Sequence, residues 1–199
     1  MIYINQRDYP HYTYVTRTDV EDPAERESGR YTSVRTSGCG LCSAVMVADR
    51  LLPNCTFELK DALRIAYDVN ANHLRGTHYV RFAPEFAKRL GLAYETTSDP
   101  QELIRCLQTG GAAVANVGGN REGHVGLFSR GGHYVAVIGM ERDGRVAVLD
   151  PSYVPHKYDE EGRAGKVEMK NDVIALCRVE DLAADAANRS PSFHLFWRG

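Results

Sequence analysis

The 199-residue sequence predicts an α+β domain, with helices filling roughly its first 110 residues and an antiparallel sheet the rest. Three observations predict it. Apolar residues recur at helical spacing up to Gly110, strand-like runs begin at Ala112, and Asp143-Gly144 carries a hairpin signal between two such runs. A mass of 22.1 kDa is one domain's worth, so residues 1–199 are read as one unit. Hydrophobic residues at 43% and charged residues at 25% match ordinary globular usage and exclude disordered and collagen-like classes. No apolar run approaches the roughly 18 residues of a membrane span. A formal net charge of -2, with five scattered lysines, excludes a nucleic-acid footprint.

Residues 5–38 are polar and aromatic without sustained periodicity, and residues 7–38 in particular read as a long irregular arm. Leu41, Ala44, Val45, Ala48, Leu51 and Leu52 then fall on one helical face before Pro53 ends the run. A second helix is expected after Thr56 as N-cap, with Leu59, Ala62, Leu63, Ala66 and Tyr67 as its stripe. A third is opened by Pro84 and closed by Gly91. A fourth starts at Ser98, with Gln101 placed as in a capping box, and ends before Gly110. Strands are expected at Ala112 to Val117, His133 to Met140, Val146 to Leu149, Asn171 to Arg178 and Phe193 to Trp197. The second and third of these should form a hairpin around Glu141-Arg142-Asp143-Gly144. Between the first two strands, residues 118–132 hold six glycines, which reads as a mobile loop beside something functional.

Five cysteines, an odd number at irregular spacing, point to free thiols in a reducing compartment. The first residues show no secretory signal pattern, so a cytoplasmic location is expected. Cys39 stands out because it begins a helix, in Ser37-Gly38-Cys39-Gly40-Leu41-Cys42-Ser43. Unpaired backbone N–H groups and the positive end of the macrodipole favour its thiolate there. A free thiol titrates near 8.5, however, and lowering that to about 6 takes roughly 3.4 kcal/mol. A helix end contributes only about 0.3–1 kcal/mol. A cationic partner must supply the remainder, normally an imidazolium.

His133 is the best placed of seven histidines, 94 residues after Cys39, at the start of an apolar strand. A catalytic imidazole also needs an acceptor on its other nitrogen. Asp150 closes the partner strand of the predicted hairpin. With a two-residue turn it lies opposite Val137, and with a four-residue loop opposite Val135. Either position shares His133's face, and a bulge or strong twist must bridge the offset along the strand. His124, in the glycine-rich loop, either touches substrate or is solvated, and the solvated state is favoured.

These residues resemble a family. Gly38-Cys39-Gly40 with Met46 following, Gly132-His133-Tyr134-Val135, and Asp150-Pro151 are similar to the papain-like cysteine peptidases, in the branch of the bacteriocin-leader (double-glycine) peptidases. The resemblance implies a papain-like fold in which a central Cys-bearing helix packs on the sheet. It implies Cys39 as nucleophile, His133 as acid and base, Asp150 as orienter, and Gln6 as oxyanion-hole donor. It also implies hydrolysis of an amide in a peptide or protein substrate through an acyl-enzyme, with no metal or organic cofactor. Two departures accompany it. The family's Gln precedes the Cys by about six residues, whereas 33 positions separate Gln6 from Cys39, so residues 7–38 would leave and re-enter the cleft. Cys39-Gly40-Leu41-Cys42 also overlays papain's Cys-Gly-Ser-Cys, which makes Cys42 a rival nucleophile, with Cys39 preferred for its flanking glycines and Met46.

Other chemistries compete. The Cys39/Cys42 pair at a helix start is also the arrangement of a thioredoxin-type thiol–disulfide oxidoreductase, although that motif needs a βαβ setting. Zinc is weaker, since one Cys-x-x-Cys lacks a second close pair. A papain-fold acyltransferase or deamidase would use the same residues, and a binding module that keeps the fold without activity would not need them.

Overall fold

The computed structural model describes residues 1–14, 33–73 and 76–199. Most of the predicted arm, including Tyr31, lies outside the described residues. Its two ends do not. Gln6–Asp8 forms a 3₁₀ turn, Thr13 and Ser33 form an antiparallel bridge, and the Val34 and Arg35 N–H groups donate to the Tyr12 and Tyr9 carbonyls at 2.9 and 3.3 Å.

A short helix α1 (Val34–Ser37) leads through Gly38 into α2 (Cys39–Leu51), followed by α3 (Leu59–Asp68), a two-residue hairpin pair β1 (Asn72–His73) and β2 (Gly76–Thr77), and α4 (Tyr79–Leu90). Then come β3 (Leu92–Thr97), α5 (Pro100–Gln108), β4 (Ala112–Val117), β5 (His133–Met140), β6 (Val146–Leu149), β7 (Val167–Met169), β8 (Ile174–Cys177), α6 (Val179–Ala186) and β9 (Phe193–Arg198). The large sheet has seven strands in the order β3-β9-β4-β5-β6-β8-β7, and every pairing is antiparallel.

Both faces of that sheet are covered. Ala112, Val114, Ala136 and Ile138 pack with α2, α3 and α4, whereas Ala113, Ala115, Val135 and Val137 pack with α5 and α6. Two-sided burial explains why β4 and β5 read as nearly continuous apolar runs rather than alternating ones. The α+β class with the Cys-bearing helix on an antiparallel sheet is the observed architecture.

Several boundaries differ from the sequence expectation. The second helix is capped by Glu58 and Asp61 in a reciprocal box, not by Thr56. The third begins at Tyr79, and Pro84 falls inside it, because burial of Tyr79, Phe82, Ala83 and Phe86 on one face carries the helix through the proline. The fourth is capped by Asp99, whose Oδ1 accepts from the Gln101 N–H at 2.8 Å, one residue after Ser98. The sheet also begins before residue 110: β3 is an edge strand with a half-exposed burial pattern, too weakly apolar to announce itself.

The β5–β6 hairpin contains the feature that positions the site. Near the turn Met140 pairs with Val146 and Gly139 with Ala147, but further on Val137 pairs with Val148 and Ala136 with Leu149. Ile138 is therefore an extra residue, a β-bulge. The turn is closed by the Gly144 N–H donating to the Glu141 carbonyl at 3.1 Å, with Gly144 at φ +85. The Ile138 carbonyl is taken by Arg50 Nε at 2.8 Å, and Ser43 Oγ donates to the Tyr134 carbonyl at 3.3 Å, so α2 is pinned to β5 at both ends. Replacing Arg50 by Ala should lower stability by about 1 kcal/mol in urea unfolding, because the bulge carbonyl then loses its donor. Arg142→Ala in the exposed turn should change it by less than about 0.5 kcal/mol.

Candidate active site

Cys39 is the first residue of α2, and the glycines on both sides of it answer to space. A Cβ on Gly38 would lie 2.5 Å from a Val34 side-chain carbon, and one on Gly40 would meet Thr77 Oγ1 at 3.0 Å and the Tyr79 ring at 3.1 Å. The thiol is nearly buried at 8% exposure. Burial opposes its ionisation, but the charge of His133, a hydrogen bond with that imidazole, and the Tyr134 and Gly40 backbone groups outweigh it, and the thiol is held below its ordinary value.

His133 opens β5 and is buried. Its Nε2 contacts Asp150 Oδ1 at 2.8 Å and Ser152 Oγ at 3.1 Å, which leaves Nδ1 to face the sulfur. Burial alone would depress this imidazole, yet the Cys39 charge and the Asp150 hydrogen bond raise it to about 9. Thiol down and imidazole up is the pattern of a thiolate–imidazolium pair, whose two titrations are a property of the pair.

Asp150 follows Leu149, the partner of Ala136, and so emerges opposite Val135, the position expected for a four-residue loop. The bulge decides this. Continuing the Met140–Val146 pairing without it would set Asp150 opposite Ala136, on the α2 side of the sheet and away from the ring. The carboxylate is 1% exposed and accepts from the Ser152 N–H at 2.8 Å, Ser152 Oγ at 3.1 Å, Tyr158 OH at 2.8 Å and the Lys157 ammonium. Burial pushes it up, but His133 and Lys157 together hold it well below the usual carboxylate range. Ser152, Lys157 and Tyr158 were not among the sequence candidates. Asp150-Pro151 announces a turn, but nothing in the spacing signals that the turn's own residues fold back onto the carboxylate.

The structure brings Cys39, His133 and Asp150 together and sets Gln6 at their margin. Gln6 is buried, with its N–H donating to the Pro151 carbonyl at 2.7 Å and its Nε2 to the Arg35 carbonyl at 2.7 Å. Among the described residues its Oε1 has no hydrogen-bond partner. Cys42, the rival thiol, is fully buried, and burial together with the charge of Cys39 pushes it up. A cavity of about 260 Å³ borders Cys39, Gly132, His133, Tyr134, Asn116 and Arg189, and Cys42 is not part of its wall.

The glycine-rich segment is tied down rather than loose. His124 Nε2 meets the buried Asp185 at 2.7 Å, and the same carboxylate accepts from the Leu127 and Phe128 N–H groups at 3.0 and 3.4 Å. His124 is thus a structural contact, not a solvated ring. All five cysteines are free. Among the described residues no helix is long and apolar enough to cross a membrane.

Lys157 gives a test that needs no substrate. Its ammonium draws on the same carboxylate that stabilises protonated His133, so Lys157→Met should raise the His133 titration above about 9, read by NMR of the ring. The sign for stability follows. A raised His133 stabilises the fold below its ordinary value of 6.5, and that contribution fades as pH climbs through about 9.

No family model matches the chain, and no curated protein matches it. Among solved structures it is similar to the peptidase domain of Streptococcus ComA, a bifunctional ABC transporter involved in a quorum-sensing pathway. The TM-score is 0.51 at 14% identity, over 95% of this chain and 100% of that one. The likeness shows the fold: this chain shares the architecture of that domain.

Proposed function

We propose that the protein is a papain-like cysteine peptidase or related amide hydrolase working through a Cys39–His133–Asp150 triad. The observation that carries this is the buried chain of contacts in which Asp150 holds His133 Nε2 at 2.8 Å while the ring's charge lowers the Cys39 thiol. The Cys39 thiolate attacks the scissile carbonyl carbon. The developing oxyanion is stabilised by the Cys39 N–H and by Gln6 Nε2, of whose two protons one is engaged by Arg35. Imidazolium His133 gives its proton to the leaving nitrogen; the neutral ring then takes a proton from water, whose oxygen attacks the thioester, and the expelled sulfur restores the thiolate–imidazolium pair. Asp150 orients the ring throughout and stabilises its charged form.

Cys42 fits a redox partnership poorly. Its thiol is buried and raised, and the residues preceding α2 are the helical turn α1 rather than the strand of a βαβ unit. Transfer of the acyl group to an acceptor other than water would use the same residues, so a deamidase or acyltransferase differs from a peptidase only in what reaches the acyl-enzyme.

Two measurements test this. Cys39→Ala and His133→Ala should each lower kcat/KM on a cleaved peptide by at least about 10³-fold while Cys42→Ala retains turnover. Loss in Cys42→Ala with activity kept in Cys39→Ala would reverse the assignment. Gln6→Ala should cost about 10²-fold in kcat, the effect of one oxyanion donor. The rate against pH should be bell-shaped, with an alkaline limb near 9 where His133 loses its proton.

A further inference from the structure

Among the described residues, the cavity beside Cys39 contains a cation with no counter-ion. Arg189 follows α6, fixed by its N–H on the Ala186 carbonyl at 2.9 Å and by Ser192 Oγ on its own carbonyl at 2.9 Å. Its guanidinium lines the same space as Cys39 and His133. Among the described residues it makes no ion pair, its Nε is buried without a hydrogen-bond partner, and no carboxylate lines the cavity. Gly132 makes room for it. A Cβ there would lie 2.5 Å from a guanidinium nitrogen, so the glycine before His133 lets the cation sit beside the reacting groups.

A guanidinium stays charged at any working pH, and its planar fork matches a carboxylate at two points. Holding such a group half-buried with no anion is unfavourable unless a ligand brings one. Asn116, Thr77, His73 and His78 add uncharged or weakly basic polar groups to the same wall, and about 260 Å³ is room for one side chain.

We propose that Arg189 makes this cavity a carboxylate-binding subsite, so that the substrate is a peptide with an Asp or Glu side chain close to the scissile bond. This deepens the peptidase reading and rests on it, since the subsite has a role only if Cys39 is the reacting thiolate.

The test compares iodoacetate with iodoacetamide, reagents that differ in one negative charge, and locates the alkylated cysteine by peptide mass. The iodoacetate-to-iodoacetamide rate ratio at Cys39 should fall about tenfold from wild type to Arg189→Gln, and Arg189→Lys should keep most of it. In wild type the ratio should also decline with added salt, which gives a readout without any variant. A mixed-sequence peptide library digested by the wild-type protein should show acidic residues enriched at one position beside the cut, with the enrichment lost in Arg189→Gln. A ratio unchanged by both salt and substitution, with no acidic enrichment, overturns the subsite while leaving the thiolate assignment standing. A Cys39 that neither reagent modifies overturns the thiolate assignment and the subsite with it.

Discussion

One extra residue in β5 decides which side of the sheet Asp150 emerges on, and the arrangement around Cys39 depends on that choice. Side chains alternate across a strand, so a slip of one position exchanges the faces. The Ile138 bulge supplies that slip between the turn and the open end of the hairpin. It leaves a backbone carbonyl without a ladder partner, and Arg50 from the end of α2 takes it at 2.8 Å. The helix that presents the sulfur thus also holds the irregularity that presents the carboxylate.

Electrostatics completes what register begins. A carboxylate taken out of water is costly unless its lone pairs are filled. Asp150 has donors from His133, Ser152, Tyr158 and Lys157. The ammonium does more than fill a site, because its charge competes with the imidazolium for the same anion. With Lys157 present, Asp150 is ionised far below neutral pH while its pull on the His133 proton is moderated. Tyr158 donates to the Asp150 carboxylate at 2.8 Å and helps orient it, while Tyr3 donates to the Asp150 backbone carbonyl at 2.8 Å and holds the main chain. A carboxylate held by several groups besides the imidazole is preorganised, so in the proposed triad the ring does not have to search for its partner as charge develops.

What could be read from the residues themselves was mostly local. The helix beginning at Cys39 and the β5–β6 hairpin carry strong periodicity and turn chemistry, and both are present. The parity argument restricted Asp150 to His133's face, but the bulge that makes the parity come out is a two-strand property with no one-strand signature. Edge strand β3 was not legible because a half-exposed strand lacks a clean apolar alternation, whereas α6 is only eight residues long and its stripe of Val179, Leu182 and Ala186 is too short to stand out. The shell of Asp150 was illegible for a different reason: Lys157 and Tyr158 reach it through the fold of a turn, and their spacing resembles that of any polar loop. His124 shows the same limit, since its partner Asp185 is 61 positions away.

Gln6 and Cys39 are 33 positions apart, and the proposed oxyanion role of Gln6 needs the chain between them to return to its starting point. Lengthening a connection costs only about 0.6 kcal/mol for each doubling, so growth from about six residues to this length costs roughly 1.5 kcal/mol. The backbone bonds from Val34 and Arg35 to Tyr12 and Tyr9, with the Thr13–Ser33 bridge, are of a number and kind sufficient to offset it. They close the segment between Tyr9 and Arg35 at its base and return the chain to the point it left. Gln6 Nε2 can therefore reach the Arg35 carbonyl, four residues before the sulfur, as though the segment were absent. What these contacts fix is the geometry at the two ends of the segment, which sets Gln6 beside the turn that leads into Cys39.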